Sequence, residues 1–226
     1  MKRLNILVSA YACNPLASFQ LHPGEDITGW QLVMQLMRFH NLWVIAHSYN
    51  ERGVKEYVKN YKVSYVKFYF ISLPKCFGWL YNISWGQRAY YFLWQILAWR
   101  MAVRLNKEVS FDAAHQVTFG NDWVPSFIGA FLKAPFILGP VGGGQRVPYN
   151  FLREYPLLKI PSEIFRAIAQ WIGRNLLLVR SISINNARAV LVCNHETREK
   201  IPKRFLEKVY LFPLNGISEA ELNPDI

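Results

Sequence analysis

Residues 111–146 read FDAAHQVTFGNDWVPSFIGAFLKAPFILGPVGGGQR, and the way this stretch divides decides the fold. Residues 111–117 and 135–138 are apolar runs of strand length. The first ends in His115-Gln116-Val117-Thr118-Phe119-Gly120 and the second in Gly139-Pro140-Val141-Gly142-Gly143-Gly144. Residues 123–132 between them carry the pattern of a short helix. Strand, helix, strand in this order predicts a parallel pair, and in an open parallel sheet ligands bind beyond the carboxyl ends of the strands. Three consecutive glycines have no side chains to pack. They suit either a sharp turn or the close approach of a ligand to the backbone.

The same alternation extends both ways. Residues 4–11 (LNILVSAY) form a continuous apolar run, the mark of a central strand covered on both faces. After a loop containing Pro15 and Pro23, residues 27–39 place Ile27, Trp30, Val33, Met34 and Met37 at helical spacing. Gly24-Glu25-Asp26 then stands at a helix amino end, where exposed N–H groups favour a phosphate and where Asp26 also suits an ordinary N-cap. Strands are expected at 42–47 and 63–71 with a charged helix at 51–60 between them. A loop at 75–86 and a long helix at 87–106 follow, the helix carrying an aromatic stripe more typical of a core than of a binding site. Past the glycine run, residues 148–161 read as an irregular connection. Residues 162–186 read as one long helix with Ser162 as its cap and with Arg166, Arg174 and Arg180 along it. Strands at 189–193 and 209–212 close the pattern around a short charged helix at 197–205. Alternation of this kind predicts an α/β domain with a doubly wound, mainly parallel sheet.

Composition narrows the function classes. Twenty-six Lys and Arg against 15 Asp and Glu give +11, which favours anionic partners. No basic run is interleaved with exposed aromatics, so nucleic acid is not the expected one. Cys13, Cys76 and Cys193 are odd in number, widely spaced and set among apolar or aromatic residues, which reads as buried free thiols in a reducing compartment. Cys193-Asn194-His195 is too sparse for a zinc site, and no metal is expected. Met1-Lys2-Arg3 is followed by a run too short for a signal peptide, and the aromatic run at 89–99 is about half the ~20 residues of a spanning helix. A cytoplasmic protein without a membrane span is therefore expected. No G-x-G-x-x-G follows the first strand, where residues 9–15 read SAYACNP, and no G-x-x-x-x-G-K-[ST], G-x-S-x-G or H-E-x-x-H occurs.

Several of these pieces together carry a resemblance: SAYACNP after strand one, Gly24-Glu25 with Gly29-Trp30, Phe111-Asp112 with His115 and Val117-Thr118-Phe119-Gly120, Val124-Pro125-Ser126-Phe127, and Gly139-Pro140-Val141-Gly142-Gly143-Gly144. The chain resembles the amino-terminal half of group 1 (family 4) retaining glycosyltransferases over nearly its whole length. The resemblance implies one Rossmann-like half of a GT-B enzyme: residues 1–214 as the acceptor-side domain, residues 215–226 as the start of an interdomain linker, and the carboxyl-terminal donor-binding domain absent. It implies a nucleotide-sugar donor as substrate, no tightly bound cofactor, and a lipid-linked or polysaccharide acceptor for glycan biosynthesis at the cytoplasmic (inner) membrane face. The +11 charge, the series Arg166, Arg174 and Arg180 and the aromatic segment 79–99 separately give an expectation of peripheral attachment to anionic lipid, the alternative being a solvated helix face.

His115 matches the family's first histidine after its Phe-Asp pair, with Gln116 where many relatives have a second. It is the catalytic, cleft-lining candidate, its alternative being a strand-end histidine satisfied by hydrogen bonds. Gly24, Glu25, Gly29, Thr118, Gly142, Gly143, Gly144 and Gln145 are the candidates for acceptor or donor-phosphate binding, with Ile27 standing where the family usually has a second glycine. The competing expectation is a non-catalytic binding module, or a subunit that needs a separate donor-binding chain.

Overall fold

The computed structural model describes residues 2–83, 86–143, 145, 160–175 and 178–214. Seven strands form one sheet: β1 (Asn5–Ser9), β2 (Asn41–His47), β3 (Val66–Ile71), β4 (Ala113–Gln116), β5 (Phe136–Val141), β6 (Ala187–Val192) and β7 (Val209–Leu211). Their order is β3-β2-β1-β4-β5-β6-β7, and every pairing is parallel. This is a Rossmann-like doubly wound α/β fold. The chain reverses its direction of travel across the sheet between β1 and β4, the switch point beside which open α/β sheets bind their ligands.

The alternation in β1 shows why both faces are covered. Leu7 joins one core cluster, with Trp94 and Tyr91 of α3 (Gly86–Val109) and Ile128 of α4 (Phe127–Phe131). Ile6 and Val8 join the other, with Trp30 and Val33 of α1 (Pro23–Met37) and Val54 of α2 (Glu51–Asn60). Side chains that wholly buried are worth roughly 1.5–3 kcal/mol each. The aromatic stripe of α3 is core, as its spacing indicates, with Tyr90, Tyr91 and Trp94 all buried.

The structure corrects several boundaries. α1 begins at Pro23, whose missing N–H is no loss at a first helical position, so the cap position falls on His22. Asp26 is therefore inside the first turn rather than the N-cap. The helix expected at 123–132 is only α4, capped by Ser126, whose hydroxyl accepts from the Gly129 N–H at 3.0 Å. The helix expected at 197–205 divides into α7 (His195–Glu199) and a 3₁₀ segment, Lys203–Lys208, because Pro202 interrupts it.

The long helix expected at 162–186 is two, α5 (Ile160–Asn175) and α6 (Leu178–Asn186). Ser162 thus lies within α5 and not at its cap. The break lets Arg174 and Arg180 converge on one loop: Arg174 Nε and Nη2 donate to the Asp122 carboxylate at 2.5 and 3.0 Å, and Arg180 Nε donates to the Asp122 carbonyl. Arg180 also donates to the Arg174 carbonyl at 3.3 Å, satisfying an oxygen that the end of α5 leaves without a helical partner. Two members of the predicted basic series thus face inward. The Arg166 side chain lies outside the described residues, as do Gly144 and residues 148–159 and 215–226.

Cys13, Cys76 and Cys193 are free thiols, but only Cys13 is buried; Cys193 is half-buried and Cys76 exposed. Burial pushes the Cys13 thiol pKa up, with Asp26 adding to the effect.

Candidate functional site

The carboxyl ends of β1, β2, β4 and β5 bring most of the predicted residues together. Gly29 of α1 lies against the loop after β1 so closely that a Cβ would stand 2.1 Å from the Ala12 carbonyl oxygen and 2.7 Å from Thr118 Cγ2. The Thr118 hydroxyl accepts from the Ala12 N–H at 3.2 Å, tying the same two loops. Glu25, exposed in the first turn of α1, accepts from the Phe119 N–H through Oε2 at 3.1 Å. Phe119 holds a left-handed backbone, φ 54°, which costs a non-glycine residue about 1–2 kcal/mol, and the Glu25 bond helps fix it. Crowding by the surrounding loops raises the Glu25 carboxyl pKa, with the Phe119 N–H opposing and Asp26 adding to the rise.

The glycine run separates into two roles. Gly143 has φ 92°, and a Cβ there would stand 2.9 Å from Asn121 Oδ1, so this position needs glycine for the turn itself. Gly142 has neither need: nothing lies within 4 Å of where its Cβ would be. Its backbone is fastened on the other side, its N–H donating to the Gly120 carbonyl at 2.8 Å while its carbonyl accepts from the Asp122 N–H at 3.0 Å. Gly24 also faces open space, and Gln145 is exposed.

His115 is enclosed within β4. It is 8 % exposed, and its Nε2 lies 2.7 Å from the Gly139 carbonyl oxygen. A carbonyl only accepts, so Nε2 carries the proton. Burial lowers the ring's pKa to about 4, the Gly139 bond opposing. This is the geometry of the hydrogen-bonded strand histidine. Gln116 is buried as well, donating to the Tyr91 hydroxyl at 3.1 Å.

Sequence reasoning passed over a polar and aromatic group at the same edge. Asp26 is wholly buried; its Oδ2 accepts from the Leu21 and His22 N–H groups at 3.0 and 2.8 Å, and its Oδ1 from the Tyr49 hydroxyl at 2.8 Å. Burial raises its pKa despite those bonds. His47 Nδ1 accepts from the Tyr49 N–H at 3.1 Å, so the neutral ring carries its proton on Nε2 and donates it to the Tyr90 hydroxyl at 3.0 Å. Burial lowers the His47 pKa to about 4, a nearby His22 contributing. The Tyr11 and Tyr81 hydroxyls bond each other, joining the loop after β1 to the 3₁₀ segment Lys75–Asn82. Around the buried Tyr11 ring, the half-buried rings of His22, Tyr49 and Phe119 lie with centroids at 6.4, 6.2 and 4.8 Å.

The position of His47 and Tyr49 just where β2 ends was the available signal for this group. Asp122, with no exposed side-chain surface, had none, because its partner Arg174 is 52 residues away.

With Asp26 filling the N–H groups of Leu21 and His22, and Glu25 beside it, the start of α1 is already supplied with negative charge. This disfavours a second anion there. What this edge offers instead is an exposed carboxylate whose acceptor capacity exceeds the single Phe119 bond, beside the partly exposed Phe119 ring and the free space at the Cβ positions of Gly142 and Gly24. That chemistry suits neutral, hydroxyl-bearing ligands: carboxylates accept from hydroxyls, and ring faces cover C–H surface. Among the described residues no three His, Cys, Asp or Glu gather closely enough to hold a metal ion.

No model of a known protein family matches the chain, and no curated protein matches it.

Proposed function

We propose that the chain is the acceptor-side domain of a nucleotide-sugar-dependent retaining glycosyltransferase, with the edge formed by Glu25 and the β4 and β5 loops holding a glycan or glycolipid acceptor. The observation that carries this reading is the meeting of Glu25, Gly29, Thr118, Phe119, Gly142 and Gly143 at the carboxyl edge of a doubly wound sheet. These are the loops that the family resemblance points to. Glu25 is assigned the acceptor hydroxyls, Gly142 the backbone approach, and His115 the holding of β4 to β5 through Gly139. The donor nucleotide and the stabilisation of the leaving diphosphate are assigned to a second domain or partner chain, because catalysis of transfer needs groups prearranged for that developing charge.

The buried, bonded state of His115 also favours a second reading, a binding module that does no chemistry itself. Calorimetric titration separates the readings from each other and from error. The chain is expected to bind oligosaccharides but not nucleotide-sugars, Glu25→Gln to weaken that binding about tenfold with unchanged thermal stability, and transfer to appear only when a donor-binding chain is added. Transfer that never appears with any such chain leaves the binding module. Submillimolar nucleotide-sugar binding with turnover by the isolated chain would overturn both.

A further inference from the structure

His22, the residue before α1, packs its half-buried ring against the rings of Phe119, Tyr49 and Tyr11, with centroids at 5.0, 5.9 and 6.4 Å. Its Nε2 is enclosed and meets no hydrogen-bond partner among the described residues. The main chain of the same residue is fully engaged. The His22 N–H donates to Asp26 Oδ2 at 2.8 Å, and the His22 carbonyl accepts from the Asp26 N–H at 2.8 Å. The backbone is therefore fixed, and only rotation of the side chain moves the ring. That ring lies on Phe119, the residue whose N–H Glu25 holds.

A neutral imidazole suits this enclosure, because it can carry its proton on Nδ1 and leave only a lone pair at Nε2. An imidazolium does not: both nitrogens then donate, and the enclosed Nε2–H has no acceptor in place. The surrounding groups are already committed. The loop after β1 presents Tyr11, whose hydroxyl bonds that of Tyr81. The segment at the end of β2 presents Tyr49, whose hydroxyl is spent on Asp26, and His47, which is bonded through both nitrogens. The β4 loop presents the uncharged Phe119 ring. At the start of α1, Asp26 is the facing carboxylate, its oxygens bonded to the Leu21 and His22 N–H groups and to Tyr49, and Glu25 stands next to it. Burial lowers the His22 pKa, with Asp26 opposing.

We infer that His22 is a proton-operated gate on the candidate site: neutral, it fills the enclosure of Tyr11, Tyr49 and Phe119; protonated, its ring turns out and leaves those faces open beside Glu25. The sign follows from the enclosure. The packed ring is stable above about pH 6.5, and its stability is lost as the pH falls through the folded pKa, which lies below that ordinary value. The uncovered faces add apolar surface next to a hydroxyl-accepting carboxylate, the combination that takes a sugar ring by its C–H face and its hydroxyls together. Oligosaccharide binding is therefore strengthened by acid. That consequence rests on the proposed function; the movement of the ring does not.

The test is nuclear magnetic resonance of the full 226-residue chain with ring-labelled histidine, titrated from about pH 8 to about pH 5, where His47 and His115, with pKa values of about 4, stay mostly neutral. The His22 signals, identified by their loss in His22→Phe, are expected to titrate below 6.5 and to lose cross-relaxation to Phe119 and Tyr49 as they do. Calorimetry over the same range is expected to show oligosaccharide affinity rising about two- to tenfold on acidification, the worth of one ring contact. His22→Phe fills the enclosure and cannot titrate, so it is expected to lack that rise. Glu25 is present in both proteins, and the difference between them isolates His22. Ring contacts kept throughout the titration, or titration at or above 6.5, overturn the inference. So does ring movement with the same pH dependence of affinity in both proteins. Ring movement in a chain that binds no oligosaccharide at any pH upholds the ring's movement and overturns the proposed function instead.

Discussion

Replacing Arg174 by Met removes the partner of a carboxylate that has no exposed surface, and the cost follows from that burial. In the native chain, Arg174 Nε and Nη2 both reach Asp122, and the Arg174 side chain itself is only 15 % exposed. An ion pair this enclosed is weak evidence for net stability, because desolvation of both groups opposes their attraction. Removing one partner is another matter, since it leaves an uncompensated buried charge and typically costs ~3–5 kcal/mol. In a protein of this size that corresponds to a fall in Tm of roughly 6–20 °C.

Asp122→Asn keeps the shape and removes the charge. The double variant Arg174→Met/Asp122→Asn is therefore expected to be more stable than Arg174→Met alone, by ~1–3 kcal/mol. Urea unfolding of the four proteins, analysed as a double-mutant cycle, measures the coupling. Additive effects, or an Arg174→Met cost below about 1 kcal/mol, would refute the reasoning and show that the β4 loop does not depend on α5 for its position.

Gly29→Ala is expected to destabilise by at least ~1–3 kcal/mol, because the added Cβ meets the Ala12 backbone at 2.1 Å, whereas Gly24→Ala in open space changes stability by less than ~1 kcal/mol; thermal melts of both decide it. His47 and His115 have folded pKa values of about 4, below the ordinary 6.5, so the unfolded chain takes up each proton first. The stability due to their neutral burial is complete above about pH 6.5 and declines as the pH falls toward 4, by up to ~3 kcal/mol per ring; His115→Gln should remove one ring's share of that slope in pH-dependent urea unfolding. Tyr49→Phe removes the hydroxyl bonded to Asp26 and is expected to cost ~1–2 kcal/mol while leaving the Glu25–Phe119 bond intact, so oligosaccharide affinity by calorimetry should change less than in Glu25→Gln.

The α/β alternation and the parallel sheet were legible in the sequence, because each depends on local pattern. An apolar run as short as residues 4–11, followed by a proline-containing loop, reads as a strand covered on both faces, and the loops that follow parallel strands share one edge by topology. Gly29 and Thr118 belonged to that pattern, and the structure brings them into contact.

What the tertiary structure alone decided is which polar groups are consumed by the fold and which remain open to a ligand. Asp26, read as a cap or a phosphate neighbour, is spent on two backbone N–H groups and Tyr49; Arg174 and Arg180, read as a basic face, are spent on Asp122 and its loop; His115 is spent on Gly139. Glu25 and Gly142 keep unused capacity or open space, and Ile164, Ile168 and Trp171 of α5 are exposed among the described residues. None of this is encoded within a window of sequence. The partners lie up to 58 residues apart for the arginines and 94 for Glu25 and Phe119, and a side chain's freedom to act is set by neighbours that only the folded chain supplies.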